Sequence, residues 1–143
     1  MKHFTKSNIK DREKVKRLNI INSITGIKPG NLIGTSSKEK ITNLAIFSRV
    51  LHLGSNPALL VFILRPQERV RRDTYNNILE NGSYTINHLP ENLTLNGHYT
   101  SAKFDKDQSE FEYCDFTEWY ADDFASPFVK ESNLNIGLKF QES

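Results

Sequence analysis

The 143-residue sequence holds a single cysteine, Cys114, which excludes a disulfide within the chain. Its four histidines are scattered, and neither they nor Cys114 stand at metal-ligand spacing. Cys114 sits among Glu112, Tyr113 and Asp115, an acidic setting that disfavours a thiolate. There is no Gly-x-Ser-x-Gly elbow, no Walker lysine loop and no Gly-x-Gly-x-x-Gly after a strand. Residue counts leave Ser–His–Asp and Cys–His sets open, but no spacing singles one out. Long apolar runs are also missing. The longest, Ala58 to Leu64, is far too short to span a bilayer. The first eight residues lack the apolar core of a signal peptide. These absences predict a soluble, cytoplasmic protein, and they make the sequons at Asn81 and Asn92 chance matches. An excess of one charge is absent as well. Lys+Arg total 19 against 17 Asp+Glu, a net +2, which argues against nucleic acid as a partner.

What is present suits one domain over residues 1–143, with a helical segment at 1–26 and a mainly β body at 27–143. Residues 8–24 predict a helix, with Ile9, Val15, Leu18 and Ile21 as an apolar stripe among basic residues. Packing of that stripe on the body is favoured over a membrane surface, because the stripe is narrow and lacks Trp. Strands are expected at 30–37, at 41–53 as one long strand or two strands joined by a bulge, and at 58–64. The last of these is apolar throughout and expected to be deeply buried. A short helix should run from 73 to 80, capped by Asp73 or Thr74 and ended by Gly82. Residues 83–88 alternate as a strand, and 90–101 hold one or two helical turns. Strands follow at 127–130 and 133–140. Between them, 103–126 is mostly loop and rich in aromatics, which suggests packing on its own body or on a second subunit.

The stretch from Asn43 to Thr74 organises the chain. Short apolar strands alternate there with turns bearing hydroxyls, amides and guanidinium groups. That mixture fits an anionic planar cofactor, which needs donors for ring edges, small residues beside a flat face, and cations at a phosphate. Arg65, Arg71, Arg72 and Thr74 cluster near the expected helix start, where free N–H groups favour anions. The plainer alternative is a set of solvated arginines beside a helix cap. Asn43 and Ser48 offer amide and hydroxyl groups, with an ordinary strand facing solvent as the alternative.

The order and spacing of several pieces resemble the flavin reductase-like, FMN-binding split-barrel family. These are Asn43-Leu44-Ala45 ending in Phe47-Ser48, then Ser55-Asn56-Pro57, Arg65-Pro66, and Thr74 followed by Asn77-Ile78. Tyr84 to His88, Thr100 to Phe104, and Ser109-Glu110-Phe111 continue the series. The resemblance implies a mainly β, FMN-binding split β-barrel with peripheral helices. It implies cofactor contacts at Asn43, Leu44, Ala45, Phe47, Ser48, Ser55, Arg65, Arg71, Thr74, Ser101 and Lys103. In the resembled proteins the strand carrying the first motif lines the flavin, and a loop at Ser101–Phe104 approaches from the far side. Lys103 there would stabilise reduced, anionic flavin, or else is a surface lysine.

The implied function is that of an NAD(P)H:flavin oxidoreductase. NADH or NADPH is the co-substrate, and no catalytic side chain is needed, because the flavin carries the chemistry. The alternative is an FMN-dependent electron-transfer or flavin-storage protein without NAD(P)H activity. The family usually continues past residue 143, so the usual C-terminal strands are expected to be lacking, or replaced by pairing across a homodimer. The aromatic segment from Phe104 to Phe124 and the family's habit of dimerising point to the homodimer too.

Overall fold

The computed structural model describes residues 5–65 and 72–141. Two short helices open it, α1 (Lys6–Lys10) and α2 (Lys14–Ser23). Four strands follow: β1 (Asn31–Ser36), β2 (Thr42–Phe47), β3 (Val50–Ser55) and β4 (Ala58–Phe62). Helix α3 (Asp73–Asn81) leads into β5 (Ser83–His88). A 3-10 turn at Glu91–Leu93 then precedes α4 (Thr94–Tyr99). Helix α5 (Glu110–Tyr113) and strands β6 (Glu118–Trp119), β7 (Phe128–Val129) and β8 (Asn135–Lys139) complete the order. The architecture is mainly β with peripheral helices.

The main sheet runs β2-β1-β5-β8, antiparallel throughout. Side chains alternate between its two faces, so neighbours in sequence enter different cores. Leu32 and Leu44 join Phe111, Cys114, Phe116 and Val129 on one face. Ile33 and Ile86 join Ile78 of α3 and Tyr84 on the other, with Phe47 and Phe62 packed against them. Phe47, Phe62 and Tyr84 form a chain of edge-on rings with centroids 5.2 and 5.3 Å apart. Phe111 and Phe116 belong to the first core, so part of the aromatic loop packs on its own body. Tyr113 and Tyr120 remain exposed.

Two expectations need correction. The helix over 8–24 is broken at Asp11–Glu13. Thr5 and Asn8 form a capping box that makes α1 a separate turn. Arg17 Nη1 then donates to the carbonyls of Lys10 (3.1 Å) and Arg12 (3.3 Å), satisfying acceptors that a continuous helix would have used. The stripe does not pack down: Val15, Leu18 and Ile21 are all exposed. The second correction concerns the run at 58–64, where no residue is fully buried. β4 pairs with β3 in a two-stranded ribbon, so only Leu60 and Phe62 reach the core while Leu59 and Ile63 face outward.

Candidate functional site

One face of β2 carries Asn43, Ala45 and Phe47, since alternate residues share a side. The start of α3 packs over this face. Asn43 Nδ2 donates to Thr74 Oγ1 at 3.1 Å and to Thr35 Oγ1 at 3.3 Å, and Asn77 Nδ2 also donates to Thr35 Oγ1 at 3.1 Å. The helix begins at Asp73, with Arg72 as its N-cap residue. Neither Asp73 nor Thr74 is the cap. Thr74 is the second helical residue, and its hydroxyl meets Asn43 instead.

These elements open onto a cleft of about 1370 Å³. Its walls are the β2 face and the following Ser48–Arg49, the segment Ile63–Arg65, and Arg72–Thr74. Residues from His98 to Asp105 close the far side, and Asn22–Lys28 line one margin. Among the described residues, five basic side chains (Lys28, Arg49, Arg65, Arg72, Lys103) face three acidic ones (Asp73, Asp105, Glu110). That balance favours an anionic ligand. Arg72 Nε is buried and has no hydrogen-bond partner among the described residues. A buried guanidinium N–H without an acceptor is costly, so this atom marks where an anion would be welcome.

The outer edge of β2 is closed by side chains. Leu44 N–H donates to Glu110 Oε2 at 3.0 Å, and Ile46 N–H donates to Thr100 Oγ1 at 3.0 Å. Thr100 in turn donates to the Gly97 carbonyl at 2.8 Å. Ligand contacts along this strand therefore fall to side chains and to the strand exit, since these two outward amides already have acceptors.

Of the residues singled out in the sequence, Asn43, Ala45, Phe47, Ser48, Arg65, Thr74, Ser101 and Lys103 line the cleft together. Leu44 does not, because period two turns it into the core with Phe111. Ser55 stands at the far end of β3, paired with Ala58 at the hairpin turn and away from the cleft. Arg71 lies outside the described residues. Sequence reasoning missed Arg49, Thr100 and Glu110 as cleft residues. Thr100 and Glu110 stand in the stretches that carried the resemblance, but their roles as edge acceptors depend on partners 54 and 66 positions away.

The one thiol is not part of this site. Cys114 is 2% exposed, and burial, then the nearby Glu110 and Asp115 carboxylates, push its pKa from 9.0 up to about 11. A protonated, enclosed thiol is a poor nucleophile. Among the described residues, no group of His, Cys, Asp and Glu is placed to hold a metal ion, and no helix is long and apolar enough to cross a membrane.

Residues 25–143 match the family described as flavin reductase like domain. A split-barrel protein assigned as a flavin reductase, from Shewanella frigidimarina NCIMB 400, is 45% identical, with a TM-score of 0.92 over 99% of this chain and 70% of that one. An FMN-binding domain of a flavin reductases-like enzyme from Shewanella baltica OS155 is 17% identical, with a TM-score of 0.68 over 81% of this chain and 59% of that one. At that identity the likeness speaks for the fold alone. An uncharacterised curated protein from Aquifex aeolicus (strain VF5) is 24% identical over 113 residues, which is 78% of this chain and 58% of the relative. The chain thus spans less than two thirds of that relative's length.

Proposed function

The chain belongs to the flavin reductase-like family, and from that premise we propose that it binds FMN in the β2–α3 cleft and reduces it with NADH or NADPH. The observation that carries the reading is the start of α3. There Arg72 Nε, buried with no hydrogen-bond partner among the described residues, and the buried Thr74 line the same cleft as the Asn43, Ala45 and Phe47 face. A phosphate fits this end, because a guanidinium, a hydroxyl and helix N-terminal amides all donate to anions. A planar ring fits beside Ala45 and Phe47, where a small residue and an apolar one leave a flat wall. The residues present therefore suit the group.

In this reading Arg72, Thr74 and Arg65 hold the phosphate. Ser48 serves the sugar chain, and Ser101 and Lys103 approach the ring from the opposite wall. Bound FMN would supply the redox chemistry, accepting a hydride from the nicotinamide and passing electrons onward. The chain's own work is to orient the ring, exclude water from one face and set local charge. Lys103 is exposed at the cleft wall and would favour a negatively charged reduced ring. The cleft volume is above the roughly 300–1,000 Å³ common for one small ligand, which leaves room for a second planar molecule.

The cytoplasm is the proposed compartment. A homodimer is proposed as well, supported by Leu51, Leu53, Leu59 and Ile63, all exposed on or beside the β3–β4 ribbon. The test of function is steady-state oxidation of NADH and NADPH with and without added FMN. Turnover that saturates with FMN is the expected result. Tight FMN binding without any pyridine nucleotide oxidation would instead make the protein an electron carrier or flavin store.

A further inference from the structure

We propose that Asn43 acts on the cofactor indirectly. Together with Thr35 and Asn77 it holds the Thr74 hydroxyl as a donor to the phosphate, making the set a determinant of FMN over dephosphorylated flavin. The proposal rests on the FMN reading above.

All four residues are buried: Thr35 is 0% exposed, Thr74 5%, Asn77 7% and Asn43 8%. The set joins three elements. Thr35 and Asn43 are direct cross-strand partners in the β1–β2 register, so strand pairing alone sets them face to face. Thr74 and Asn77 stand three apart on α3, on the one helix face that meets these strands. A carboxamide nitrogen has two hydrogens, and Asn43 commits one to Thr35 and one to Thr74.

The consequence is directional. Thr74 Oγ1 receives a hydrogen from Asn43, so it uses a lone pair inward and keeps its own hydrogen to give elsewhere. Thr74 lines the cleft beside Arg72, so the cleft is where that hydrogen is useful. Thr35 holds the second hydrogen of the Asn43 amide. Its oxygen accepts from both Asn43 and Asn77, which keeps the Asn43 amide nitrogen turned toward the hydroxyls. Without that acceptor the Asn43 amide could turn over and present Oδ1 to Thr74. The hydroxyl would then donate inward and the phosphate would lose a donor. Riboflavin has no phosphate, so its binding does not depend on this orientation. Asn43, Thr35 and Asn77 are positioning residues in this scheme.

The experiment compares FMN and riboflavin affinity by flavin fluorescence titration. The proteins are the wild type, Thr35→Val, Thr35→Ser, Asn43→Leu and Thr74→Val, each checked for folding by circular dichroism. A hydrogen bond to a charged group contributes enough that its loss weakens binding about tenfold or more. Thr35→Val should lose FMN affinity by that order and leave riboflavin affinity unchanged, because its Asn43 amide can turn an acceptor to Thr74. Asn43→Leu offers Thr74 no inward acceptor and should lose clearly less. Thr35→Ser keeps the hydroxyl and should stay near wild type. If Thr35→Val does not fold, Thr35→Ala, which removes the same oxygen, takes its place. Equal losses for FMN and riboflavin in Asn43→Leu would make Asn43 a direct ring contact and overturn the proposal. No FMN loss in Thr35→Val, with Thr74→Val weakened, would overturn it as well while sparing the phosphate site. Unchanged FMN affinity in Thr74→Val would instead refute the phosphate site itself.

Discussion

At Thr74 the hydroxyl meets Asn43, and the same residue lines the cleft. The sequence marks Thr74 as a phosphate candidate through its place in an Arg-Arg-Asp-Thr run. It cannot show the Asn43 contact, because the two residues are 31 positions apart and meet only when α3 folds over the sheet. Leu44 teaches the opposite lesson, since period two alone would have turned it away from its neighbours on the cleft side. Cys114 allows a test at this scale. Its thiol is held protonated up to about pH 11 in the folded chain, against 9.0 for an ordinary thiol. A raised folded pKa gives stability that is fully present below pH 9. That stability is lost as pH rises toward 11, because the unfolded thiol ionises first. Urea unfolding between these pH values should therefore lose less stability in Cys114→Ala than in the wild type. An identical pH slope in the two proteins would remove Cys114 from the account.

Elements with their own punctuation were legible. Gly82 ends α3 in the left-handed region at φ 67°, where its N–H donates to the Ile78 carbonyl at 2.8 Å. The alternation at 83–88 became β5 with those bounds. Elements whose state depends on a neighbour were not legible. The apolar run of β4 reads as core, yet ribbon pairing leaves one of its faces open. The helix at 8–24 reads as continuous, yet a local cap divides it. Gly34 of β1 shows how tightly the central strands are packed. A Cβ there would collide with the Pro127 carbonyl and come within 2.6 Å of Thr85 Oγ1. Thr85 Oγ1 already donates to that carbonyl at 2.6 Å, so neither atom can give way cheaply. Gly34→Ala should thus destabilise the fold by about 1–3 kcal/mol in chemical denaturation, as overpacking does. A change within error would mean that β1 and the Pro127 segment separate more freely than their contacts imply.

Across the whole molecule, two cores on opposite faces of one sheet fix the position of the cleft. One core anchors β2 from behind through Leu44 and Phe111, and the other seats α3 through Ile78. The cleft lies between the β2 face with the start of α3 on one side and the Ser101–Asp105 segment on the other. The exposed apolar residues of the β3–β4 ribbon predict self-association, because burying such surface yields roughly 25 cal/mol per Å². Sedimentation should give about twice the 16.5 kDa chain mass, and charged residues at both Leu51 and Leu59 should return it to monomer. A monodisperse monomer in the unaltered protein would leave the ribbon face without that role. The central claim is that the start of α3 and the β2 face hold one FMN. A crystal structure of the chain with FMN bound tests it most directly. The account predicts the phosphate within hydrogen-bonding distance of Thr74 Oγ1 and Arg72, and the ring against Ala45 and Phe47. FMN seated elsewhere, or bound here with its phosphate turned away from Thr74 and Arg72, would contradict it.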